Sequence, residues 1–355
     1  MSPGDNGPMI FASDNWAGAS ERILAAFAEA AASGGPAYGG DALTAAACEC
    51  FNETFEREVV VFLVASGTVA NALALSAYAR PGGIVFAHGE AHVAVDEAGA
   101  LEFFSGGNRI AMLPATAGKI SADALERALA RLPEGDVHHG RPVAVSLTQI
   151  TEYGAAYRPD EIAEVARVAK TRGLAVHMDG ARFASAVAAL GRSPAEISWR
   201  AGVDVLSFGG TKNGCFAAEA VVFFDPAAAR DFAYARQRAG QGYSKNWFIA
   251  AQFLAYFDKG HWLELAGHAN RMAARLAEAI AGSGTARLAL HPDANEIFAV
   301  VENTADARLR AAGAVYHQRP ATGLAIQVAA DETTIRLVTS FRTTEAEVDR
   351  FAALL

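Results

Sequence analysis

The chain has 355 residues, 52% of them hydrophobic and 19% charged, with a net charge of −9. That length holds two ordinary domains, or one large domain with an appendage, around a deep core. An acidic balance without a concentrated basic patch argues against nucleic acid or an anionic membrane as partner, and no apolar run approaches the roughly 18 residues of a membrane span.

In chain order, Met1 to Pro8 is polar and rich in Gly and Pro, without the basic-then-apolar pattern of a leader. A cytoplasmic enzyme is the expectation. Residues 20–32 read as a helix stopped by Gly34 and Pro36. Residues 59–64 form a continuous β-branched run, which suits a strand covered on both faces, and 69–79 return to a helical pattern ended by Pro81, Gly82 and Gly83. Further strands are expected at 83–87, 109–113, 143–147, 174–178, 203–208 and 220–224. Helices are expected at 123–132 and 159–172, the latter with Pro159 in its first turn and Gly173 past its end. This alternation implies parallel strands joined by helical crossovers. From about Asn246 the pattern turns to long helices, through Phe257 and over 261–280, then to strands at 296–301, 325–328 and 334–339 and a last helix. The fold class is therefore α/β, with a large sheet domain over 1–250 and a smaller α+β domain over 251–355.

The three cysteines, Cys48, Cys50 and Cys215, make no disulfide framework, and Cys-Glu-Cys alone is too few ligands for a metal. Buried apolar thiols are expected instead. Chemistry concentrates elsewhere. His177-Met178-Asp179-Gly180-Ala181-Arg182 closes one strand and Ser207-Phe208-Gly209-Gly210-Thr211-Lys212 the next, so a carboxylate and an amine sit at neighbouring strand ends. Pyridoxal phosphate requires that pair: a lysine to hold it as an imine, and a carboxylate to keep its ring nitrogen protonated. Lysine is scarce here, at Lys119, Lys170, Lys212, Lys245 and Lys259, and only Lys212 follows a buried-type strand through two glycines. Burial there makes an amine nucleophilic; taken alone, Lys212 reads better as an ordinary loop lysine, until Asp179 and a phosphate site are counted with it.

Ser66-Gly67-Thr68-Val69-Ala70-Asn71 follows the 59–64 strand and opens a helix, whose free N–H groups can bind a phosphate. The same tripeptide is also a common turn and cap. His92, just after the 83–87 strand, can stack on a pyridine ring or simply cap a helix. His138 and His139 precede the 143–147 strand, at the end away from the other candidates. Arg182 follows Asp179 by three residues and turns back toward the same strand end, within reach of the cofactor or a carboxylate. Arg336 interrupts an apolar strand, where it needs a carboxylate partner or faces water.

Together these residues resemble the low-specificity L-threonine aldolases, pyridoxal-phosphate enzymes of fold type I, the aspartate aminotransferase type. The resemblance covers nearly the whole chain: Phe11-Ala12-Ser13-Asp14-Asn15, Tyr38-Gly39-Gly40-Asp41, the run from Ser66 to Asn71, His92 with Glu97-Ala98-Gly99-Ala100, Ser146-Leu147-Thr148-Gln149 with Glu152, the runs ending at Arg182 and Gly214, and Arg336-Leu337-Val338-Thr339-Ser340. It implies a mainly parallel seven-stranded sheet flanked by helices. It also implies that Lys212 carries the imine, Asp179 holds the ring nitrogen, His92 stacks on the ring, and Ser66, Gly67 and Thr68 hold the phosphate. Ser13, Arg182 and Arg336 would bind the substrate carboxylate, and His138 matches a histidine near the substrate hydroxyl, leaving either histidine, or a water they orient, as the base. Family sites form between subunits of a dimer, usually doubled to a tetramer, so Tyr38 or one of Arg236, Arg238 and Lys245 is expected to reach a neighbour's cofactor. Gly240-Gln241-Gly242-Tyr243-Ser244-Lys245 departs from the Gly-rich Met-Arg-Gln segment of some members. The implied reaction is retro-aldol cleavage of threonine or allo-threonine to glycine and acetaldehyde. Its rivals are phenylserine cleavage, transamination or β-elimination on the same scaffold, and a non-catalytic cofactor carrier.

Overall fold

In the computed structural model, which describes residues 7–320, 323–324 and 326–355, the apolar runs of the first two thirds become strands of one sheet covered on both faces. In chain order its elements and their neighbours are β1 (Met9–Ile10), α1 (Glu21–Ser33), α2 (Ala42–Phe55), β2 (Val60–Val64), α3 (Gly67–Ser76), β3 (Gly83–His88), α4 (His92–Val95), α5 (Ala100–Phe104), β4 (Arg109–Leu113), α6 (Ala122–Ala130), β5 (Arg141–Thr148), α7 (Pro159–Thr171), β6 (Ala175–Gly180), α8 (Phe183–Leu190), β7 (Val205–Gly209) and β8 (Glu219–Phe223). There follow α9 (Phe232–Arg238), α10 (Trp247–Phe257), α11 (His261–Ala281), β9 (Ala286–Leu290), β10 (Glu296–Glu302), α12 (Asn303–Ala311), β11 (Ala314–Val315), β12 (His317–Gln318), β13 (Glu332–Val338) and α13 (Glu345–Ala352).

The large sheet has seven strands in the order β2-β8-β7-β6-β5-β3-β4, with β8 running against the other six. This is the expected sheet. Strand periodicity of two sends Leu206 and Phe208 to one face, with α1, α2, α7, α8 and α10, and Val205 and Ser207 to the other, under α3. The second sheet is antiparallel, β12-β13-β10-β9. Its core collects Ile297, Ala299, Ile335 and Leu337 with Met272 and Leu276 of α11, and with Met9 and Phe11 from the opposite end of the chain. Met9 and Ile10 pair in parallel with Ala314 and Val315, and the Val338 N–H donates to the Phe11 carbonyl at 2.8 Å.

Three local readings change. Residues 42–55 are an additional helix, started where the Asp41 carboxylate accepts the Thr44 N–H at 2.8 Å. The helix expected at 69–79 starts at Gly67 and ends at Ser76, because Ser66 is its cap. The strand expected at 325–328 is absent at Ile326, Gln327 and Val328, while Ala325 lies outside the described residues; the partner of β10 on that side is β9. Cys215 is buried, and Cys48 and Cys50 are half-buried free thiols. Among the described residues no helix is long and apolar enough to cross a membrane.

Phe208, four residues before Lys212, sits in a ring cluster with Phe51 at 5.3 Å, Phe257 at 5.6 Å and Trp262 at 5.9 Å between centroids. It fixes β7 from beneath. Phe208→Ala should lower unfolding free energy by about 3–5 kcal/mol in a denaturant titration; a loss under about 1 kcal/mol would mean that the cluster is not the anchor of this strand.

Candidate active site

Parallel strands leave their carboxyl ends in one row, and the register sets Thr148 beside Asp179 and Asp179 beside Ser207. A crevice of about 200 Å³ opens there, lined by Gly67, Thr68, Asn71, His92, Asp179 and Lys212, at the kind of site where open α/β sheets bind ligands. It runs on into a pocket of about 320 Å³ lined by Ser13, Arg319 and Arg336, with Asn15, His92, Glu152, Arg182 and Lys212 common to both.

The turn carrying Lys212 is shaped by backbone crowding. A Cβ on Gly209 would lie 2.6 Å from the Ala181 carbonyl oxygen, and one on Gly210 2.8 Å from that of Ala218. The Asn213 side chain donates to the Tyr256 hydroxyl at 2.7 Å and the Trp262 carbonyl at 2.8 Å, pinning the turn to α10 and α11. Among the described residues the Lys212 amine has no ion-pair or hydrogen-bond partner. That is the condition for a nucleophile.

Asp179 lies on the face of β6 that packs under α3. Its Oδ2 accepts from Asn71 Nδ2 at 2.8 Å and its Oδ1 from the Ala181 N–H at 3.0 Å, so the carboxylate cannot swing. Two residues back on the same face, His177 bridges the hydroxyls of Ser146 and Ser207 at 2.9 and 3.0 Å. Burial pushes its pKa down to about 4, so it is neutral at neutral pH. The same amide nitrogen of Asn71 also donates to Glu97 Oε1 at 2.8 Å, and His92 Nδ1 meets that oxygen at 2.8 Å. Glu152 fixes the loop from below, accepting the His92 N–H at 2.8 Å and contacting His88 Nε2 at 2.6 Å.

Gly67 and Thr68 begin α3 facing the crevice, and a Cβ on Gly67 would meet nothing within 4 Å. Free N–H groups and open space suit a phosphate. Ser66 caps this helix, its hydroxyl accepting the Val69 N–H at 3.5 Å, and does not itself line the crevice. These residues fit pyridoxal phosphate: an unpaired amine, a fixed carboxylate and an unblocked helix start face one cavity.

Both arginines expected in the carboxylate clamp line the outer pocket, but they are held differently. Arg182 is committed within the protein, through Nε and Nη2 to Asp14 at 2.7 and 3.1 Å and through Nη1 to Glu296 at 3.2 Å. Burial works against its charge, yet Asp14 and Glu296 raise its pKa further. Burial likewise opposes the Asp14 charge, and Arg182 and Lys212 overcome it. Arg336 is less committed. It donates to the Ala12 carbonyl at 3.2 Å, its Nε lies 3.4 Å from Glu296 Oε1 without a hydrogen bond, and burial lowers its pKa, with Glu296 opposing the shift and Arg182 adding to it. Ser13, a cap that accepts the Asn15 N–H at 3.2 Å, lines the same pocket and keeps its own proton free to donate.

Two expected residues are not in this chain's crevice. His138 is exposed in the loop before β5, at the amino end of a strand whose carboxyl end carries the site, roughly 25 Å of strand away. Tyr38 is 66% exposed beside Ser244, whose carbonyl accepts its N–H at 3.0 Å. Conversely, Glu219 and Glu296 escaped the sequence reading. Both are buried carboxylates at the first residue of an apolar strand, and an acid at that position was the available signal.

The profile described as beta-eliminating lyase matches residues 11–304. A low specificity L-threonine aldolase of Pseudomonas aeruginosa is 44% identical over 303 residues, 85% of this chain and 87% of that protein. A protein of the same description from a Pseudomonas species is 40% identical over 343 residues, 97% of this chain and 96% of that one. Among solved structures, Leishmania major threonine aldolase superposes with a TM-score of 0.90 at 28% identity over 98% of each chain.

Glu219 yields a pH test. Burial raises its pKa from 4.5 to about 7, with Thr211 and Lys212 only partly offsetting the cost. Between those two pH values the unfolded chain releases a proton that the folded protein keeps, so stability falls as pH rises through this window. Glu219→Gln removes the dependence. In cofactor-free protein its unfolding free energy relative to the parent should improve between pH 4 and pH 8, by up to about 3 kcal/mol; parallel profiles would exclude a titrating Glu219.

Proposed function

The chain belongs to the β-eliminating lyase family and to its threonine aldolase branch, and from that premise we propose that it cleaves the Cα–Cβ bond of threonine and allo-threonine to give glycine and acetaldehyde, using pyridoxal 5′-phosphate. The observation that carries this reading is the joint presence in one crevice of the unpaired Lys212 amine, the fixed Asp179 carboxylate and the open start of α3. Bound there, the cofactor supplies the electron sink for the carbanion left when the bond breaks.

The protein's share is binding, orientation and proton transfer. Lys212 is the amine that would hold the cofactor. Asp179 would keep the ring nitrogen protonated, and Asn71 and the Ala181 N–H hold that carboxylate in place. Gly67 and Thr68 would take the phosphate. Arg336 and Ser13 bind the substrate carboxylate; Arg182, locked by Asp14 and Glu296, forms the wall against which Arg336 is set. His92 presents Nε2, which has no hydrogen-bond partner among the described residues, to the β-hydroxyl and removes its proton.

The inner crevice is lined by no lysine or arginine except Lys212 and Arg182, so a doubly charged phosphate lacks a cation of its own. A second copy of the chain is the proposed source, through Arg236, Arg238 or Lys245, with Tyr38 facing the partner's site. The active species is then a homodimer or a dimer of dimers, in the cytoplasm, each subunit with a large domain over 1–250 and a small one over 251–355.

Purified protein with cofactor should release acetaldehyde and glycine from threonine. Keto acid and ammonia in place of aldehyde would identify an eliminating lyase and overturn the aldolase reading. Lys212→Ala should lose both turnover and the visible absorbance of lysine-bound cofactor. Arg336→Ala should raise KM for threonine by about 30-fold or more, the effect of stranding a carboxylate that had a charged partner, while kcat changes less. A drop in kcat at unchanged KM would remove Arg336 from the binding site.

A further inference from the structure

His92 reaches the crevice from a loop, yet its ring is held from behind by a carboxylate that sees no solvent. We propose that Glu97 is the positioning residue for His92, fixing the proton on Nδ1 so that Nε2 faces substrate, and that Asn71 ties this pair to Asp179 so that base and ring-nitrogen anchor are held as one unit. The inference rests on the aldolase reading and deepens it.

The geometry leaves little choice of tautomer. Glu97 Oε1 lies 2.8 Å from His92 Nδ1 and 2.8 Å from Asn71 Nδ2, and as an acceptor it requires a donor on each. Asn71 gives its amide nitrogen to Glu97 and, at 2.8 Å, to Asp179; turning the amide over would set its oxygen against two carboxylates. A neutral His92 therefore carries its proton on Nδ1. A carboxylate behind an imidazole also strengthens the far nitrogen as a base and stabilises the cation formed when it takes a proton.

The cluster is poorly built for stability alone. Glu97 Oε2 and Asn71 Oδ1 are both buried without a hydrogen bond, a cost that calls for a functional return. The charged groups facing the pair are Asp179 from β6 and Lys212 from the turn after β7, with Glu152 on the His92 backbone. Burial raises the Glu97 pKa, while its hydrogen bond is the largest influence on His92 and raises that pKa against the pull of burial.

Nuclear magnetic resonance of histidine-labelled full-length protein, with and without pyridoxal phosphate, tests the dyad independently of turnover. In the wild type the neutral His92 ring should be the Nδ1–H tautomer; an Nε2–H ring overturns the proposal without any variant. In Glu97→Gln the His92 titration midpoint should fall by about one pH unit or more. The acid limb of kcat/KM should move down with it, and kcat should fall roughly 10- to 100-fold at unchanged KM. Glu97→Asp, which keeps the charge, should retain most of the elevated midpoint. Equal midpoints in the wild type and Glu97→Gln would refute the positioning role. Absence of aldehyde from a wild type with the expected titration would refute the aldolase reading and leave the dyad standing.

Discussion

The register of three parallel strands governs this molecule. Because β5, β6 and β7 end together, Thr148, Asp179 and Ser207 form one row, and the turn beyond β7 delivers Lys212 to its edge. A slip of one residue in β6 would turn Asp179 toward the α7 and α8 face and set Met178 or Gly180 under α3. The apolar alternation that forbids this slip, with Val176 and Met178 in the core of the opposite face, is therefore also what aims the carboxylate. Packing and chemistry are specified by the same residues.

Charge is the second constraint. Burying Asp14, Arg182, Glu296 and Arg336 at one seam is expensive unless each is paired. The structure pairs three of them well and one poorly: Arg182 takes both carboxylates while Arg336 is left with a backbone carbonyl and a share of Glu296. Such an imbalance is unfavourable in an empty pocket and favourable once an anion enters it. In the proposed function a substrate carboxylate would complete the partnering of Arg336, because the charges here balance in number but not in their pairing.

Much of this was legible beforehand, for physical reasons. Strands covered on both faces announce themselves as unbroken apolar runs, which is why all seven large-sheet strands are placed within two residues at either end. Lys212 and Asp179 stood out because a charge at the end of such a run is conspicuous. Ser66 is ambiguous in sequence, since a hydroxyl before a helix serves a cap as readily as a phosphate. His138 matched a pattern but lies at the amino end of its strand, and only the direction of β5 reveals this. Arg182 was visible as a site residue, yet its partners Asp14 and Glu296 come from segments 168 positions before and 114 after it, a closure that no local spacing encodes. The helix over 42–55 was missed because its alanines, cysteines and charges show only a weak apolar stripe.

The amino-terminal strand pairs with β11, and the Phe11 carbonyl accepts from Val338, so residues at the start of the chain cannot be seated until those near its finish exist. Asp14 and Ser13 ride on that strand. The outer pocket takes Glu296 from β10 and Arg336 from β13 beside Ser13, so its wall closes only when the two ends of the chain have met.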